Sequence, residues 1–431
     1  MKSNKINIGL IGFGNIGSYF YKALENNKNI IRQKTGKIPV IKYISTRSLK
    51  KKRKIKIPKN KWIKNPIKLI MKKDLNIVIE LVGGAEGVAK KVVLTALKNK
   101  KHVITANKSL IAKHGNELSY IAEKNKINLE YEASVAGGVP IIRSIKEGLI
   151  ANKINKIYGI LNGTTNYILS TMEETGKNFI EVLSLAKKKG FAESNPLSDL
   201  NGKDAADKIR ILSSIAFNKV ISKNKILTEG IQNINLTDIL HAKRLGYKIK
   251  LLAISEIKNN ELMERVHPCL VSNNSHISKV NGVLNAIIVE GEPIGKSVLQ
   301  GEGAGPGPTA SALISDLCSV MRGNIKFPFG VSYRMRKKIK KFNISNRFCS
   351  SYLRIEAKDQ PGVLQSITKN FSRNKISIKN LIQTPDKKNK KASIAIITHA
   401  SKEKNFTKLL SNINKNKYVL NKPTFIRIEK V

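Results

Sequence analysis

Residues 5–17 have the sequence KINIGLIGFGNIG, an apolar run that ends in closely spaced glycines. The run is typical of a buried β-strand, and the sequence SYFYKALENN after it predicts a helix. Three of the glycines have the G-x-G-x-x-G spacing between these two elements. Glycine lets the backbone turn tightly and approach a pyrophosphate, while the helix N-terminus supplies N–H donors. The stretch predicts a Rossmann-type domain, with a glycine-rich turn without a ligand as the alternative; the predicted dinucleotide contacts are Gly12, Phe13, Gly14, Asn15, Ile16 and Gly17.

The end of the second predicted strand, IPVIKYI at 38–44, indicates which dinucleotide binds. A site that prefers NAD usually has an acidic residue here for the ribose hydroxyls. This chain instead continues with STR, which ends at Arg47, and Lys50 and Arg53 follow. A cationic pocket without a carboxylate suits a 2′-phosphate. The sequence therefore predicts that NADP(H) is preferred, with Arg47 in the site and NAD(H) as the second cofactor.

Further apolar runs extend the predicted sheet: DLNIVIELVGG at 74–84, HVITANKSL at 102–110 and INLEYEASV at 127–135, with a helix at 88–100. In open α/β sheets, ligands lie outside the carboxyl ends of the strands. Thr105 and Lys108 stand in the carboxyl-terminal half of the second of these runs, so both are predicted to lie near the cofactor. Residues 1–135 are predicted to form this N-terminal domain.

Residues 190–208, GFAESNPLSDLNGKDAADK, concentrate three carboxylates and a lysine in one short segment. A helix is predicted at 204–217, where Asp204 and Lys208 are four residues apart and share a face. One interpretation is a solvated ion pair, which is the usual fate of such spacing. The other is a site in which Glu193, Asp199 and Asp204 hold a small cationic substrate while Lys208 handles a proton. The segment alone leaves both interpretations open.

Three glycine-containing segments offer polar atoms to ligands. EASVAGGV at 132–139 leaves backbone carbonyls and one carboxylate to converge, which suits a hard cation, with an ordinary hinge loop as the alternative. NGTTN at 162–166 follows a predicted strand and offers hydroxyls, amides and N–H groups, with a plain loop as the alternative. QGEGAGPG at 300–307 precedes a helix at 308–322 that is predicted to pack back on the N-terminal domain.

The middle and the end of the chain predict two further domains. Residues 136–307 combine helices, at 141–151 and 178–190, with antiparallel-type strands, which indicates an α+β domain. Residues 323–351 are basic and irregular, as in a linker. From 352 the predicted order is β-α-β-β-α-β, the ferredoxin-like arrangement.

Composition excludes several classes of protein. The 431 residues, 41% of them hydrophobic, suffice for two or three domains, and the apolar runs are too short to span a bilayer. A net charge of +49 raises a nucleic-acid interpretation, but lysines are spread along the whole chain and aromatic residues are only 6%. The basic runs at 50–61 and 387–391 are therefore predicted to be surface loops. The three cysteines lie far apart, which favours a reducing cytoplasm.

Taken together, the motifs closely resemble the homoserine dehydrogenase family, of the monofunctional type with a C-terminal ACT domain, over essentially the whole chain. The matching stretches are GFGNIG (12–17), ELVGG (80–84), TANK (105–108), YEASVAGGVP (131–140), GILNGTTNYIL (159–169), GFAES-P (190–196), D-NGKDAADK (199–208), GEGAG-PTAS (301–311) and DQPGVL (359–364). The resemblance implies reversible NAD(P)-linked interconversion of L-aspartate 4-semialdehyde and L-homoserine, on the route to threonine, methionine and isoleucine. It also implies the following residue roles. Lys208 is the acid/base and Lys108 assists on the cofactor side. The substrate contacts are Glu193, Asp199, Asp204, Thr164 and Gly163, and Gly190 and Gly305 approach the cofactor. A sodium site corresponds to Glu132, Val135, Gly137 and Val139.

The ACT-like tail, residues 352–430, suggests an allosteric amino-acid site, with L-threonine the expected effector. Its Pro-Gly turn and helix start would offer backbone N–H groups to a carboxylate, at Asp359, Gly362 and Val363; a tail that only pairs domains is the alternative. The resemblance further implies that residues 136–307 bind substrate and dimerise, giving a homodimer or homotetramer. No membrane or specific nucleic-acid partner is expected.

Two positions depart from the family pattern, because Phe191 stands where Tyr is usual and Glu302 where Pro or another small residue is common. Three rival functions were weighed: another amino-acid dehydrogenase of similar N-terminal fold, such as one acting on aspartate; an amino-acid sensor with an inert catalytic half; and a basic nucleic-acid-binding protein. The segment at 190–208 and the NGTTN stretch count against the first, and the intact lysines and carboxylates count against the second.

Overall fold

The structure is a computed structural model that describes residues 4–48, 55–222, 224–386 and 389–431. The chain forms two compact units, each assembled from separate stretches of sequence. Unit 1 comprises 1–161, 204–225 and 284–339, and unit 2 comprises 162–203, 226–283 and 340–431.

Strands and helices alternate in the first part of unit 1, as a Rossmann-type domain requires. The strands are β1 (Lys5–Ile11), β2 (Ile38–Ser45), β3 (Ile77–Glu80), β4 (His102–Thr105), β5 (Leu129–Glu130), β6 (Lys153–Ile160), β7 (Leu227–Thr228), β8 (Tyr247–Lys258), β9 (Glu261–Ser272), β10 (Leu284–Glu292), β11 (Gly295–Glu302), β12 (Lys340–Lys341), β13 (Phe348–Lys358), β14 (Ile378–Asp386), β15 (Lys391–Thr398), β16 (Ser401–Lys402) and β17 (Thr424–Ile428).

The helices range from single turns to more than four turns. They are α1 (Asn15–Asn26), α2 (Lys28–Thr35), α3 (Pro66–Ile70), α4 (Val88–Lys98), α5 (Lys108–Lys124), α6 (Ile141–Arg143), α7 (Gly163–Thr175), α8 (Phe179–Lys188), α9 (Leu197–Leu200), α10 (Lys203–Ala216), α11 (Leu236–Arg244), α12 (Pro306–Met321), α13 (Val363–Arg373) and α14 (Glu403–Asn414).

Unit 1 contains a parallel sheet with the strand order β2-β1-β3-β4-β5. Ile8, Leu10 and Ile79 are fully buried in its core, as the apolar runs predict. The buried face of α12, which includes Leu313 and Leu317, joins the same core, so a helix from residue 306 onward covers strands from the chain start. The carboxyl ends of β1, β3 and β4 thus meet at one edge, where a dinucleotide is expected.

The remaining strands of unit 1 are antiparallel, with β10 between β6 and β11. Gly159 of β6 lies so close to the backbone of Ala286 that a Cβ atom there would overlap the Ala286 carbonyl. The stretch predicted to be a loose linker begins inside unit 1, because Phe329 is fully buried and the Tyr131 hydroxyl donates to the Pro328 carbonyl at 2.7 Å.

Unit 2 is organised on the long β8–β9 hairpin, whose two-residue turn, Asn259-Asn260, has positive φ at both residues. Asparagine tolerates this conformation, which matches the twist of paired strands. The C-terminal module has the strand order β17-β13-β15-β14 with α13 and α14 on its core. Its chain order is the predicted β-α-β-β-α-β, with the short β16 added, and β17 also pairs in parallel with β9.

Several predicted elements have the wrong extent. The strand predicted at 102–110 ends at Thr105, because Asn107 caps a new helix. The strand predicted at 127–135 is only Leu129–Glu130, and the next residues form a 3₁₀ turn. The helix predicted at 141–151 is a short α-turn followed by a π-turn. NGTTN is a helix start rather than a loop, because its first residue is an N-cap.

Within the described part of the chain, no helix is both long and apolar enough to cross a bilayer. Cys269, Cys318 and Cys349 are free thiols, two of them buried. Much of the basic run at 50–61 and part of that at 387–391, including Lys50 and Arg53, lie outside the described residues.

Candidate active site

The glycine loop of unit 1 has the geometry of a dinucleotide turn. Gly12 has φ +101°, and a Cβ there would lie 2.5 Å from the Leu81 carbonyl oxygen. A Cβ on Gly17 would overlap the Gly12 carbonyl, so this glycine lets α1 approach the loop. At Gly14 a Cβ would meet nothing within 4 Å, which leaves open space at the N-terminus of α1. The chain therefore fits a pyrophosphate at the loop, although the Phe13 side chain is buried in the core and could contribute only backbone.

A buried carboxylate that the sequence reasoning missed ties together the loops after β3 and β4. Glu80 is fully buried and accepts hydrogen bonds from the N–H groups of Val82 and Gly83, at 2.7 and 3.2 Å. Its other oxygen accepts from the Thr105 hydroxyl at 2.6 Å. The signal that could have revealed it is the acidic residue in ELVGG, at the end of an otherwise apolar strand.

Lys108 is the first residue of α5, and its position follows from the cap before it. The Asn107 side chain accepts from the Leu110 N–H at 3.1 Å and donates to the Gly84 carbonyl at 2.7 Å. The Asn107 N–H donates to the Thr105 hydroxyl at 3.0 Å. Thr105 and Lys108 therefore lie at the carboxyl edge of the sheet, where the sequence predicts them.

The Asp204 carboxylate lies between two lysines. Its oxygens are 2.8 Å from Nζ of Lys108 and 2.7 Å from Nζ of Lys208, and Lys208 also donates to the Leu161 carbonyl at 2.6 Å. Asp204 and Lys208 are buried. The Asp204–Lys208 pair is therefore not a solvated surface pair, the first of the two interpretations of this segment.

The two ammonium groups keep Asp204 charged. Burial raises the pKa of this carboxyl, but the positive charges of Lys208 and Lys108 and their hydrogen bonds outweigh burial, so its pKa lies well below the usual range. An ammonium has three donors, and the recorded contacts of Lys208 use two of them. The arrangement can therefore hold Lys208 charged with one N–H directed elsewhere.

In unit 2, the NGTTN segment and α9 form a second polar cluster. The Asn162 side chain accepts from the Thr165 N–H at 2.9 Å, which caps α7, and donates to Asp199 at 2.8 Å. The Thr164 hydroxyl donates to the Phe191 carbonyl at 2.7 Å. The Phe191 ring is 39% exposed, so the residue that replaces the usual Tyr lies at the surface of this unit.

The other substrate and cofactor residues of unit 2 surround this cluster. Gly163 could not carry a Cβ without pressing on the Val283 carbonyl, 2.6 Å away. Gly190 has φ +75° and open space beside it, and Glu193 is exposed.

The proposed cation segment is almost entirely buried, and Ala136 there has φ +50°. The Glu132 carboxylate accepts from the N–H groups of Ile142 and Arg143 at 2.9 and 2.8 Å. Burial raises the pKa of Glu132 to about 7, against the effect of those hydrogen bonds. The side chain is thus occupied at the start of α6, and the part of this segment that fits a hard cation is its backbone carbonyls, including those of Val135, Gly137 and Val139.

The remaining predicted residues lie as follows. Arg47 is exposed after the end of β2, and Gly305, with φ +116°, precedes α12. In the C-terminal module, Gly362 has φ +82° and caps α13, Val363 is buried, and Asp359 accepts from the Gln383 amide at 3.4 Å.

Comparison with known proteins identifies the family. The sequence model described as homoserine dehydrogenase matches residues 140–318, and that of the homoserine dehydrogenase NAD binding domain matches 12–132. The homoserine dehydrogenase of Neisseria gonorrhoeae is 37% identical over 430 residues, which cover 98% of each chain. That of Bacillus subtilis is 36% identical over 428 residues, again 98% of each chain.

The chain belongs to the homoserine dehydrogenase family. It is therefore an oxidoreductase with a nucleotide-binding domain, a catalytic domain and a C-terminal ACT-like domain, as the sequence predicts. The ACT-like part matches an acetohydroxyacid synthase small-subunit-like ACT model over residues 353–421. The crystal structure of a homoserine dehydrogenase from Thiobacillus denitrificans has a TM-score of 0.90 and 35% identity, and covers 99% of this chain and 98% of that one.

Proposed function

We propose that this homoserine dehydrogenase reduces L-aspartate 4-semialdehyde reversibly to L-homoserine, with NADPH as the preferred reductant, in the synthesis of threonine, methionine and isoleucine. The observation that carries this proposal is the Asp204 carboxylate held between Lys108 and Lys208, in the same unit as the glycine loop. When bound, the nicotinamide cofactor supplies the hydride for the aldehyde carbon.

The residues of this chain then have to supply a proton and orientation. Lys208, with one N–H still directed elsewhere, stabilises the developing alkoxide and donates a proton to the substrate oxygen. Asp204 holds Lys208 and Lys108 in place as well as adding negative charge for the substrate ammonium. Glu193 and Asp199 add further carboxylates for that ammonium, and Thr164 and Gly163 contact the substrate.

The preference for NADPH rests on the end of β2, where no Asp or Glu follows and Arg47 is exposed. The glycine loop, Thr105, Lys108, Gly190 and Gly305 complete the cofactor site. An absorbance assay at 340 nm with aspartate semialdehyde tests both activity and preference. We expect turnover with a higher kcat/KM for NADPH than for NADH; no turnover contradicts the function, and equal values contradict the preference.

We propose a sodium ion at the carbonyls of Glu132, Val135, Gly137 and Val139, because the segment is buried and rich in carbonyl oxygens. Activity in sodium salts compared with tetramethylammonium salts of equal ionic strength tests this site. We further propose L-threonine as an inhibitor that binds at Asp359, Gly362 and Val363. Inhibition that is lost in a chain truncated before residue 348 supports it.

We also propose the domain limits 1–135, 136–307, 323–351 and 352–430, a homodimer or homotetramer, and a cytoplasmic location. Light scattering coupled to size-exclusion chromatography measures the oligomeric state. Salt-resistant binding to duplex DNA contradicts the expectation that no specific nucleic acid is a partner, since phosphate-driven binding falls steeply with salt.

A further inference from the structure

We infer that Glu80 is a positioning residue that fixes the cofactor edge of unit 1 and, through Thr105 and Asn107, the lysine that follows them. This inference rests on the proposed roles of the cofactor edge and of Lys108. Glu80 is fully buried at the carboxyl end of β3, in the middle of the parallel sheet.

The first observation is the cost of burying this carboxylate. Its recorded partners are three neutral donors: two backbone N–H groups and one hydroxyl. A buried charge without a cationic partner is expensive, and an apolar residue would suit a buried strand of the sequence IVIE better. A carboxylate at this position therefore indicates a task beyond filling the core.

The second observation is what the carboxylate holds. The loop after β3 contains two consecutive glycines with positive φ, Gly83 at +81° and Gly84 at +82°. Such a loop has many accessible conformations. The bonds from Val82 and Gly83 to Glu80 select one of them, and the bond from Asn107 to the Gly84 carbonyl ties that loop to the next one.

The third observation is the continuity of the hydrogen bonds toward the lysines. The Thr105 hydroxyl donates its proton to Glu80, which leaves its lone pairs for the Asn107 N–H. Asn107 caps α5, whose first residue is Lys108, and Lys108 contacts the same Asp204 carboxylate as Lys208. Glu80 thus orders the loops at two strand ends and the start of the helix that carries Lys108.

The chemistry of the network makes Glu80→Gln a sharp variant. A carboxylate only accepts hydrogen bonds, whereas an amide must also donate. If the new NH₂ faces Thr105, the hydroxyl proton loses its acceptor; if it faces Val82 and Gly83, donors face donors. Either orientation breaks part of the network with almost no change in volume.

The test combines nucleotide affinity, kinetics and stability. For Glu80→Gln we expect the Kd of NADPH, from fluorescence titration without substrate, to rise at least about tenfold, the scale on which small misplacements act. We also expect kcat to fall at saturating NADPH. Glu130→Gln is the matched control, a buried carboxylate of the same unit that pairs with Lys146, and it should lower Tm while leaving the Kd within about twofold.

A second variant keeps the inference testable if Glu80→Gln does not fold. Thr105→Val removes the hydroxyl with little change of shape and should weaken NADPH binding, and Thr105→Ser, which keeps the hydroxyl, should lose less. The double variant Glu80→Gln/Thr105→Val should be no weaker than the worse single variant, because both act through one bond.

A purely structural role would give a different result. The inference is overturned if Glu80→Gln and Thr105→Val lower Tm as Glu130→Gln does while the Kd and kcat stay at wild-type values. Nucleotide affinity is measured without substrate, so a wild-type protein that bound NADPH but did not turn over aspartate semialdehyde would contradict the proposed function and leave this test intact.

Discussion

Lys208 and Lys250 are both buried lysines, one in each compact unit, but their ammonium groups have different partners. Lys208 contacts the Asp204 carboxylate and one backbone carbonyl. The recorded acceptors of Lys250 are neutral: the Val280 carbonyl at 2.6 Å, and side chains of Asn281, Asn166 and Ser170 at 3.0 to 3.5 Å. Burial lowers the pKa of Lys250 to about 8.

The difference separates a reactive lysine from a structural one. A carboxylate partner keeps positive charge in a buried site and leaves a donor for another molecule, as at Lys208. Neutral acceptors that surround the ammonium instead use all its donors and clamp the segment 280–281 to α7, as at Lys250. Each prediction below either breaks this contrast or sharpens it.

Asp204→Asn is expected to have the largest effect. It removes the charge between two lysines but keeps the size of the side chain. Breaking a buried ion pair from one side typically costs about 3–5 kcal/mol, and we expect the free energy of unfolding to fall by that amount. Urea unfolding measures it, with Asp199→Asn in unit 2 as the control, because Asp199 is less buried. A loss no larger than that of the control would contradict the pairing.

The second prediction concerns pH and Lys250. Its pKa falls from 10.5 in the unfolded chain to about 8 in the folded protein, so between these values the unfolded chain binds the extra proton. Stability therefore rises with pH across that window, by about 3 kcal/mol from this group. The measurement is the difference in unfolding free energy between wild type and Lys250→Met at pH 8 and pH 10.5, which cancels other titrating groups. Parallel pH curves for the two proteins would show that Lys250 is not depressed.

The third prediction is that Lys208→Ala lowers kcat about 10²-fold, roughly 2.7 kcal/mol, the scale of general acid–base catalysis. Lys250→Met removes an equally buried ammonium and should leave kcat near wild type. If Lys208→Ala raised KM alone, Lys208 would be a binding residue. If both variants lost kcat equally, the contrast between the two lysines would be wrong.

The sequence alone carried this contrast only on one side. Gly12, Gly14, Gly17 and the order of the apolar runs predict the parallel sheet, because glycine spacing and strand periodicity are local properties. Asp204 and Lys208 are also predicted together, since four residues along a helix share a face. Lys250 stands in a strand among other lysines, and nothing local distinguishes a lysine that will be buried.

The missed features depend on contacts between residues far apart in sequence. Glu80 and Thr105 are separated by 25 residues, and Lys108 and Asp204 by almost a hundred, so their pairing follows from strand order rather than from any motif. The helix start at NGTTN was missed for a different reason. Asn162 has the local sequence of either a turn or an N-cap, and the apolar face of α7, which packs in unit 2, decides between them.

The smallest expected effect tests whether unit 2 positions a substrate carboxylate as unit 1 positions Lys208. Asn162→Ala removes both the cap of α7 and the amide that donates to Asp199, whereas Asn178→Ala removes only the cap of α8. Losing either cap should cost about 1 kcal/mol of stability. Only Asn162→Ala should also raise the KM for homoserine, with kcat little changed, because Asp199 is proposed to bind the substrate ammonium rather than to transfer a proton. Equal KM values for the two variants would mean that the Asn162–Asp199 contact supports the fold of unit 2 and not its ligand.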